Sequence, residues 1–424
     1  MELHFLGGAG EVGRSCIALT TGETTVYLDS GINAQELQPN LSLPLFDKAK
    51  RPNAVILSHG HLDHCGSIPA LFKHGAPTVY CTTPTLSIAN ILYNDTLKIA
   101  RQENLPSPFS QQDLKKALNY FSAMGYKQEF ALSKDFHFSF LDAGHIIGAA
   151  QIVIKAEKKK IIYSGDLKLN ETRMHSGADI EKNPDVLAME STYGDKAQAD
   201  RKKVEETFFN DVEDVVDAGG IALVPCFAVG RTQEVLTLLG EKNFRGDIYI
   251  DGMGTRVNEV YYQYSGYLRN GKGFKAALQR AKIVSSREER KDALTGGNVI
   301  LTTAGMLEGG PVMSYLQAME RGDLPNKLFL TGFQAPGTNG RRLLNNEPLV
   351  IHGNYKQLYR VSTPFKLYEF SAHADQSELL QYAKEVNPEK IYCVHGDDTT
   401  AFAELLKEEG FDASAPVNGE KVKV

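Results

Sequence analysis

The most constraining stretch of this chain is His59-Gly-His61-Leu-Asp63-His64, which follows the apolar run Ala54-Val-Ile-Leu-Ser58 without a break. Three imidazoles and a carboxylate so close together form a dense set of borderline and hard ligands, a chemistry suited to zinc. The apolar run reads as a buried strand and the histidines as the loop that leaves it. Such a loop directs residues i and i+2 at one ion and residues i+4 and i+5 at a neighbour. A helix would spread them around its circumference. A lone surface histidine is ordinarily solvated or packed, and that explanation does not extend to four clustered ligands. Two ions need more donors than the loop supplies. His145, in Ala-Gly-His-Ile-Ile-Gly, and Asp166, in Ile-Ile-Tyr-Ser-Gly-Asp, stand at turn-flanked strand ends. The two oxygens of Asp166 suit it to bridge. Two metals about 4 Å apart convert water to hydroxide at neutral pH and clamp the attacking and leaving oxygens of a phosphoryl transfer.

The 424 residues exceed one ordinary core, so two domains are expected. The first 200 residues alternate short β-rich runs with turns. Strands are expected at Leu3 to Leu6, Ser15 to Thr20, Thr24 to Asp29, Thr78 to Cys81 and Phe136 to Leu141. Gln151 to Lys155 and Lys160 to Ser164 flank a charged turn and read as a hairpin; Thr85 to Arg101 and Gln111 to Phe121 have helical periodicity. From about residue 200 strands and helices alternate, with helices at Arg201 to Asp217, Thr232 to Leu239 and Arg256 to Tyr267. Strands fall between them at Gly220 to Pro225, Asp247 to Ile250, Val299 to Thr303 and Lys327 to Leu330. That alternation implies parallel βαβ units in a separate α/β domain. After residue 350 the β-rich style returns, so a domain inserted into another fits better than two in tandem.

Other classes are set aside by composition. The opening MELHFLGGAG lacks the basic and apolar regions of a secretory leader. The longest near-apolar run, Ile221 to Val229, is far short of a membrane span and contains Pro225. Five scattered cysteines without a CxxC pair fit reduced thiols in a cytoplasmic protein. A formal charge of −6 argues against a histone-like coating of nucleic acid, although bound metal would dominate its own cleft.

Asp29 at a strand end, the His59–His64 cluster, His145 and Asp166 together resemble the four motifs of the metallo-β-lactamase superfamily. Three later segments narrow the resemblance: Glu190-Ser-Thr-Tyr-Gly-Asp, Ser371-Ala-His373-Ala-Asp375 and Val394-His395-Gly-Asp397. They are similar to motifs A, B and C of the β-CASP branch, which processes nucleic acids. The likeness spans the chain, including Thr303-Ala-Gly-Met306 and the segment Thr331 to Thr338. It implies an αββα sandwich in two parts, residues 1–199 and 349–424, with a β-CASP α/β domain inserted at 200–348. Histidine in motif C places the chain on the RNA side of that branch. The nearest likeness is to the cleavage-and-polyadenylation endonuclease subunit, especially its short archaeal relatives without KH domains. Only 28 residues precede Asp29 and 29 follow His395, so neither a KH domain nor the long extension of ribonuclease J is expected.

The resemblance also implies roles. One zinc takes His59, His61, His145 and Asp166; the second takes Asp63, His64, Asp166 and His395. Asp29 orients a ligand from behind. Hydroxide generated between the metals attacks phosphorus, His373 acts as general acid toward the departing ribose oxygen, and Glu190 holds its ring as imidazolium. The expected activity is metal-dependent RNA hydrolysis, endonucleolytic with 5′-to-3′ exonuclease action as an addition, on single-stranded RNA. Arg231, in Phe-Ala-Val-Gly-Arg-Thr, and Ser371 are candidate RNA contacts. A homodimer or a processing complex is the expected assembly, and no membrane is involved. His4, His74, His137, His175 and His352 read as structural or exposed. Two other readings cover part of the pattern. A thioesterase or lactonase on the same fold leaves Glu190, His373 and the insert without work. A non-catalytic RNA-binding subunit would have lost metal ligands that are all present here.

Overall fold

The computed structural model describes residues 1–33, 42–351 and 357–424, so His352 lies outside the described residues. The chain falls into two compact units. The first joins Met1–Ala197 to Ala372–Val424, and the second is Gln198–Ser371.

The first unit contains two sheets. One comprises β1 (Glu2–Gly7), β2 (Cys16–Thr21), β3 (Thr24–Leu28), β4 (Ala54–Ile56), β5 (Thr78–Thr82) and β6 (Phe121–Met124). The C-terminal strand β22 (Lys421–Lys423) completes it, in the order β22-β1-β2-β3-β4-β5-β6. The other comprises β7 (Phe130–Ser133), β8 (Phe136–Asp142), β9 (Ala150–Ala156), β10 (Lys159–Tyr163) and β11 (Val186–Glu190). It ends with β20 (Lys390–Val394) and β21 (Ala413–Ser414), in the order β21-β20-β11-β10-β9-β8-β7. Alternate residues of each strand face opposite sides, and the burial follows that period. Val26, Leu28, Ile56, Phe138, Ile152 and Ala188 meet in one core between the sheets. Tyr27, Val55 and Val79 turn outward onto Ala89 and Tyr93 of helix Thr83–Glu103. Ile162, Leu187 and Ile391 turn outward onto Leu379 of helix Gln376–Val386 and Phe402 of helix Thr399–Glu408. This is the expected αββα arrangement.

The second unit is built on a parallel sheet. Its strands are β12 (Ile221–Pro225), β13 (Asp247–Asp251), β14 (Lys282–Ile283), β15 (Asn298–Thr302), β16 (Lys327–Leu330) and β19 (Phe365–Leu367). They run in the order β14-β13-β15-β12-β16-β19. β17 (Leu349–Ile351) and β18 (Gln357–Tyr359) pair antiparallel as a separate two-stranded sheet. Because β19 pairs with β16, this unit runs to Ser371, past residue 349 where the sequence turns β-rich again.

Two helices come out shorter than their periodicity suggests. Helix Gln111–Leu118 stops before Phe121, which pairs instead with Val79 in the first sheet. Tertiary pairing there overrides a local pattern that fits helix equally well. Helix Gly254–Gln263 is followed by a separate 3-10 turn at Ser265–Tyr267, across the break at Tyr264. No described helix is long and apolar enough to cross a membrane, and all five cysteines are buried free thiols.

Candidate metal centre and active site

The functional side chains stand at strand ends. β10, β11 and β20 are mutually parallel neighbours, so their carboxyl ends bring Asp166, Glu190 and His395 to one edge of the second sheet. β3 and β4 are parallel in the facing sheet, and they deliver Asp29 and the His59–His64 loop to the same unit. His61 is extended and caps the short helix Leu62–Cys65, which carries Asp63 and His64. That helix lies tight against the turn after β3. A Cβ added to Gly31 would stand 1.7 Å from the Asp63 carbonyl oxygen, so only glycine allows the approach. His145 comes from the loop between β8 and β9.

Two ligand clusters result, one of His59, His61, His145 and Asp166 and one of Asp63, His64 and His395. In the first, His61 Nδ1 is 3.2 Å from both His59 Nε2 and His145 Nε2. Asp166 Oδ2 is 3.4 Å from His59 Nε2 and 3.5 Å from His145 Nε2. Four donors around a tetrahedral ion at zinc's bond lengths would stand about 3.3 Å apart. The other oxygen of Asp166 faces the second cluster, 3.0 Å from His64 Nε2 and 3.3 Å from His395 Nδ1. His395 Nε2 is 3.4 Å from Asp63 Oδ2. His64 Nε2, Asp166 Oδ1 and His395 Nε2 are all buried without a hydrogen bond. These buried polar atoms face only one another and neighbouring ligand atoms, and a shared cation would satisfy them together. The residues therefore fit a pair of metal ions.

The nitrogens on the far side of the rings support the same assignment. His64 Nδ1 donates to Asp29 Oδ2 at 2.6 Å. Ser58 Oγ gives its proton to the same oxygen at 2.7 Å, so toward His59 Nδ1, 3.1 Å away, it acts as acceptor. Tyr163 donates to Asp29 as well, at 2.8 Å. His145 Nδ1 donates to the carbonyl of Ala372 at 2.9 Å. Thr192 Oγ1 donates to the His395 carbonyl at 3.1 Å, which leaves it to accept from His395 Nδ1, also at 3.1 Å. The contacts to His59, His64 and His145 each leave the other ring nitrogen facing the cluster, the role outer partners take around bound metals, while Thr192 shares His395 Nδ1 with Asp166 Oδ1, 3.3 Å away. Burial, with the His59 charge second, lowers His61 to about 3, and burial likewise depresses His59 and His145. Neutral imidazole is the form that binds metal. Thr192→Val is expected to weaken metal retention or activity by about 10–100-fold, with Thr192→Ser close to wild type. Metal content after dialysis against a chelator series reads this out, and an unaltered Thr192→Val protein would reject the assignment.

His373 stands over the first cluster. Its Nδ1 donates to Glu190 Oε1 at 3.1 Å, and its Nε2 is 3.9 Å from Asp166 Oδ2. Burial disfavours the imidazolium, but the carboxylates of Glu190 and Asp166 outweigh it and raise the ring to about 9. The backbone around it is held at successive polar atoms. His145 takes the Ala372 carbonyl, Lys168 Nζ donates to the His373 carbonyl at 3.1 Å, and Ala374 N donates to the Leu167 carbonyl at 2.5 Å. Lys168 is itself paired with buried Glu378 at 2.5 Å, and Glu190 accepts from Leu167 N at 2.7 Å. One short loop after β10 thus supplies a candidate metal ligand and three anchors of His373.

Ser58, Thr192, Tyr163, Lys168 and Glu378 were not legible as site residues. Glu378 alone had a signal, as the third residue of a capping box with Asp375. Arg231 has a different setting from the open turn its sequence suggests. It is 6% exposed and paired with Glu234 at 2.5 Å, so a carboxylate already balances its charge. The Ser371 carbonyl accepts from Arg201 at 3.2 Å. Of the other histidines, His4 and His175 are buried, His137 is half-buried and His74 is exposed.

An αββα sandwich that gathers two ligand clusters around a shared aspartate at its strand ends defines a metal-dependent hydrolase of the metallo-β-lactamase class. Family models agree along the chain: a metallo-β-lactamase superfamily domain at residues 18–189, a β-CASP domain at 232–343 and a zinc-dependent metallo-hydrolase RNA specificity domain at 359–416. The chain belongs to the β-CASP branch of the metallo-β-lactamase superfamily. It is 37% identical to "Probable RNase MJ4" of Methanocaldococcus jannaschii over all of both chains. It is 34% identical to "RNase aCSPSF2" of Saccharolobus solfataricus, covering all of this chain and 85% of that one. A transcription termination factor, FttA of M. jannaschii, is 32% identical, with 96% of this chain and 69% of that protein aligned. A crystal structure of a protein of unknown function from Enterococcus faecalis shares the fold, with a TM-score of 0.66 at 13% identity over 99% of each chain.

Proposed function

We propose that this protein is a zinc-dependent ribonuclease that hydrolyses phosphodiester bonds of single-stranded RNA, in RNA processing or decay in the cytoplasm. The observation that carries the reading is Asp166, which turns one oxygen to each ligand cluster with His373 Nε2 beside it. The RNA specificity domain matched at 359–416 and the ribonuclease names of the relatives support RNA as the substrate. One zinc would be held by His59, His61, His145 and Asp166, and the other by Asp63, His64, Asp166 and His395. Zinc bound there supplies Lewis-acid charge to the phosphate oxygens and lowers the pKa of water at the site.

The chain's own residues complete the chemistry. Nε2 of the His373 imidazolium delivers its proton to the ribose 3′-oxygen as the phosphorus–oxygen bond breaks. Glu190 holds Nδ1 and stabilises the charge before transfer. Water supplies the new oxygen on phosphorus, leaving a 5′-phosphate and a 3′-hydroxyl. The Lys168–Glu378 pair and the Ala372 carbonyl keep the loop of His373 in register with His145.

Closed-circular and linear forms of one labelled RNA test the reading. The zinc-loaded protein is expected to cut the circle, and removal of metal by a chelator is expected to stop cutting until zinc is restored. Degradation of the linear form alone would identify a 5′-end exonuclease. If zinc-loaded protein cuts neither form, the autonomous nuclease is rejected.

A further inference from the structure

The second unit carries a concentration of positive charge that its fold does not require. Residues 241–247 and 269–282 hold seven lysines and arginines against two acidic residues, within a chain whose formal charge is −6. The two segments form one corner. Asn270 bonds Glu241 at 2.7 Å, Arg280 bonds the Phe244 carbonyl at 2.6 Å, and Lys282 pairs with Asp247 at 2.7 Å. Helices Arg231–Glu241 and Gly271–Arg280 approach so closely that a Cβ on Gly240 would stand 2.6 Å from the Ala277 side chain. The corner lies where β13 and β14 begin, the opposite end of this sheet from the loops that leave β12, β15 and β16.

Helix electrostatics accounts for two of these charges. Lys242 and Arg280 sit at the ends of their helices, where cations complement the terminal carbonyls. Lys272 is in the first turn of helix Gly271–Arg280, a turn without an acidic residue, where a cation opposes the helix dipole. Among the described residues Arg245 and Lys272 are exposed and have no carboxylate partner. Lys275 lies 4.6 Å over the ring of Tyr262, itself 42% exposed. Cations left uncompensated beside an open aromatic ring match the phosphates and bases of a single strand.

We infer that this corner is an RNA-backbone tether, a second contact surface for long substrates outside the metal centre. The inference rests on RNA as the substrate. It predicts that RNA binding strengthens with length, with a steeper salt dependence, because a longer strand sets more phosphates against these cations.

The test uses full-length His373→Ala protein and labelled single-stranded RNAs of about 10 and about 40 nucleotides in a salt series. A Lys242→Ala/Arg245→Ala/Lys272→Ala/Lys275→Ala variant in that background is expected to lose affinity for the long RNA by at least about tenfold and to flatten its salt slope by about 3. Binding of the short RNA should hold, as should its cleavage by the same four substitutions in active protein. Lys242→Arg/Lys272→Arg/Lys275→Arg should keep long-RNA binding, which separates charge from packing. Unchanged long-RNA affinity overturns the inference, and so does an equal loss on both lengths or in the arginine variant. Loss of binding to polyglutamate with RNA binding intact would assign the corner to an acidic protein instead. If active wild-type protein cleaves no RNA, the nuclease reading fails while the binding measurements still decide the tether.

Discussion

Asp166→Ala is expected to strip the protein of both zinc ions and to lower RNA cleavage by on the order of 10⁴-fold or more. The carboxylate serves both clusters, with Oδ2 facing His59 and His145 and Oδ1 facing His64 and His395. Without it each set keeps three donors, and the rings lose the negative charge that balances the metals. Elemental analysis gives zinc per chain, and cleavage of the circular RNA gives the rate. Retention of two zinc ions with near-normal cutting would remove Asp166 from the bridging role. The fold should persist, because removing a buried carboxylate from an apoprotein also removes its desolvation cost.

His373→Ala is expected to lower kcat by about 10²–10⁴-fold with zinc content unchanged and KM little altered. A substrate with sulfur in place of the bridging 3′-oxygen supplies a leaving group that needs no proton. On it the variant should approach the wild-type rate, and persistence of the full deficit there would exclude general acid catalysis. Lys168→Met should lower kcat through the same histidine, because it releases the His373 carbonyl. It also leaves the buried Glu378 carboxylate without its cation, though Asn170 N and Asp375 N still donate to it, a defect of up to about 3–5 kcal/mol in comparable pairs. Lys168→Met/Glu378→Gln separates the effects, since the neutral amide oxygen can still accept from Asn170 N and Asp375 N and thermal stability should largely recover while kcat stays low. If kcat recovers with stability, Lys168 holds the fold and does not position the acid.

Much of this site was readable because its chemistry is local. His59 and His61 lie in the loop that leaves one strand, while Asp63 and His64 lie on the short helix Leu62–Cys65 that follows, where the spacing suggests loop throughout; a single helical turn still keeps all four side chains together. Asp166 and His395 follow β10 and β20 in the same way and Glu190 ends β11, each marked by an apolar run that closes in polar residues. The parallel alternation of the second unit was legible because burial on both faces leaves apolar strands between amphipathic helices. Phe121 was misplaced in a helix because its partner, Val79, lies more than a helix away along the chain. Arg231 looked available because sequence reports charge but not the carboxylate of Glu234 turned toward it.

The amino-acid sequence by itself determined the ligand types, the strands that present them and the inserted α/β unit, since each depends on periodicity or spacing over a few residues. Only the tertiary structure shows that His61 Nδ1 and the Nε2 atoms of His59 and His145 are turned toward one another. The same holds for Ser58, Thr192 and the Ala372 carbonyl, which bond the histidine rings, and for Lys168, which holds the loop of His373. Those assignments depend on distances of about 3 Å between residues far apart in the chain. Such distances are set by how two sheets and their end loops pack, and a one-dimensional pattern does not contain them.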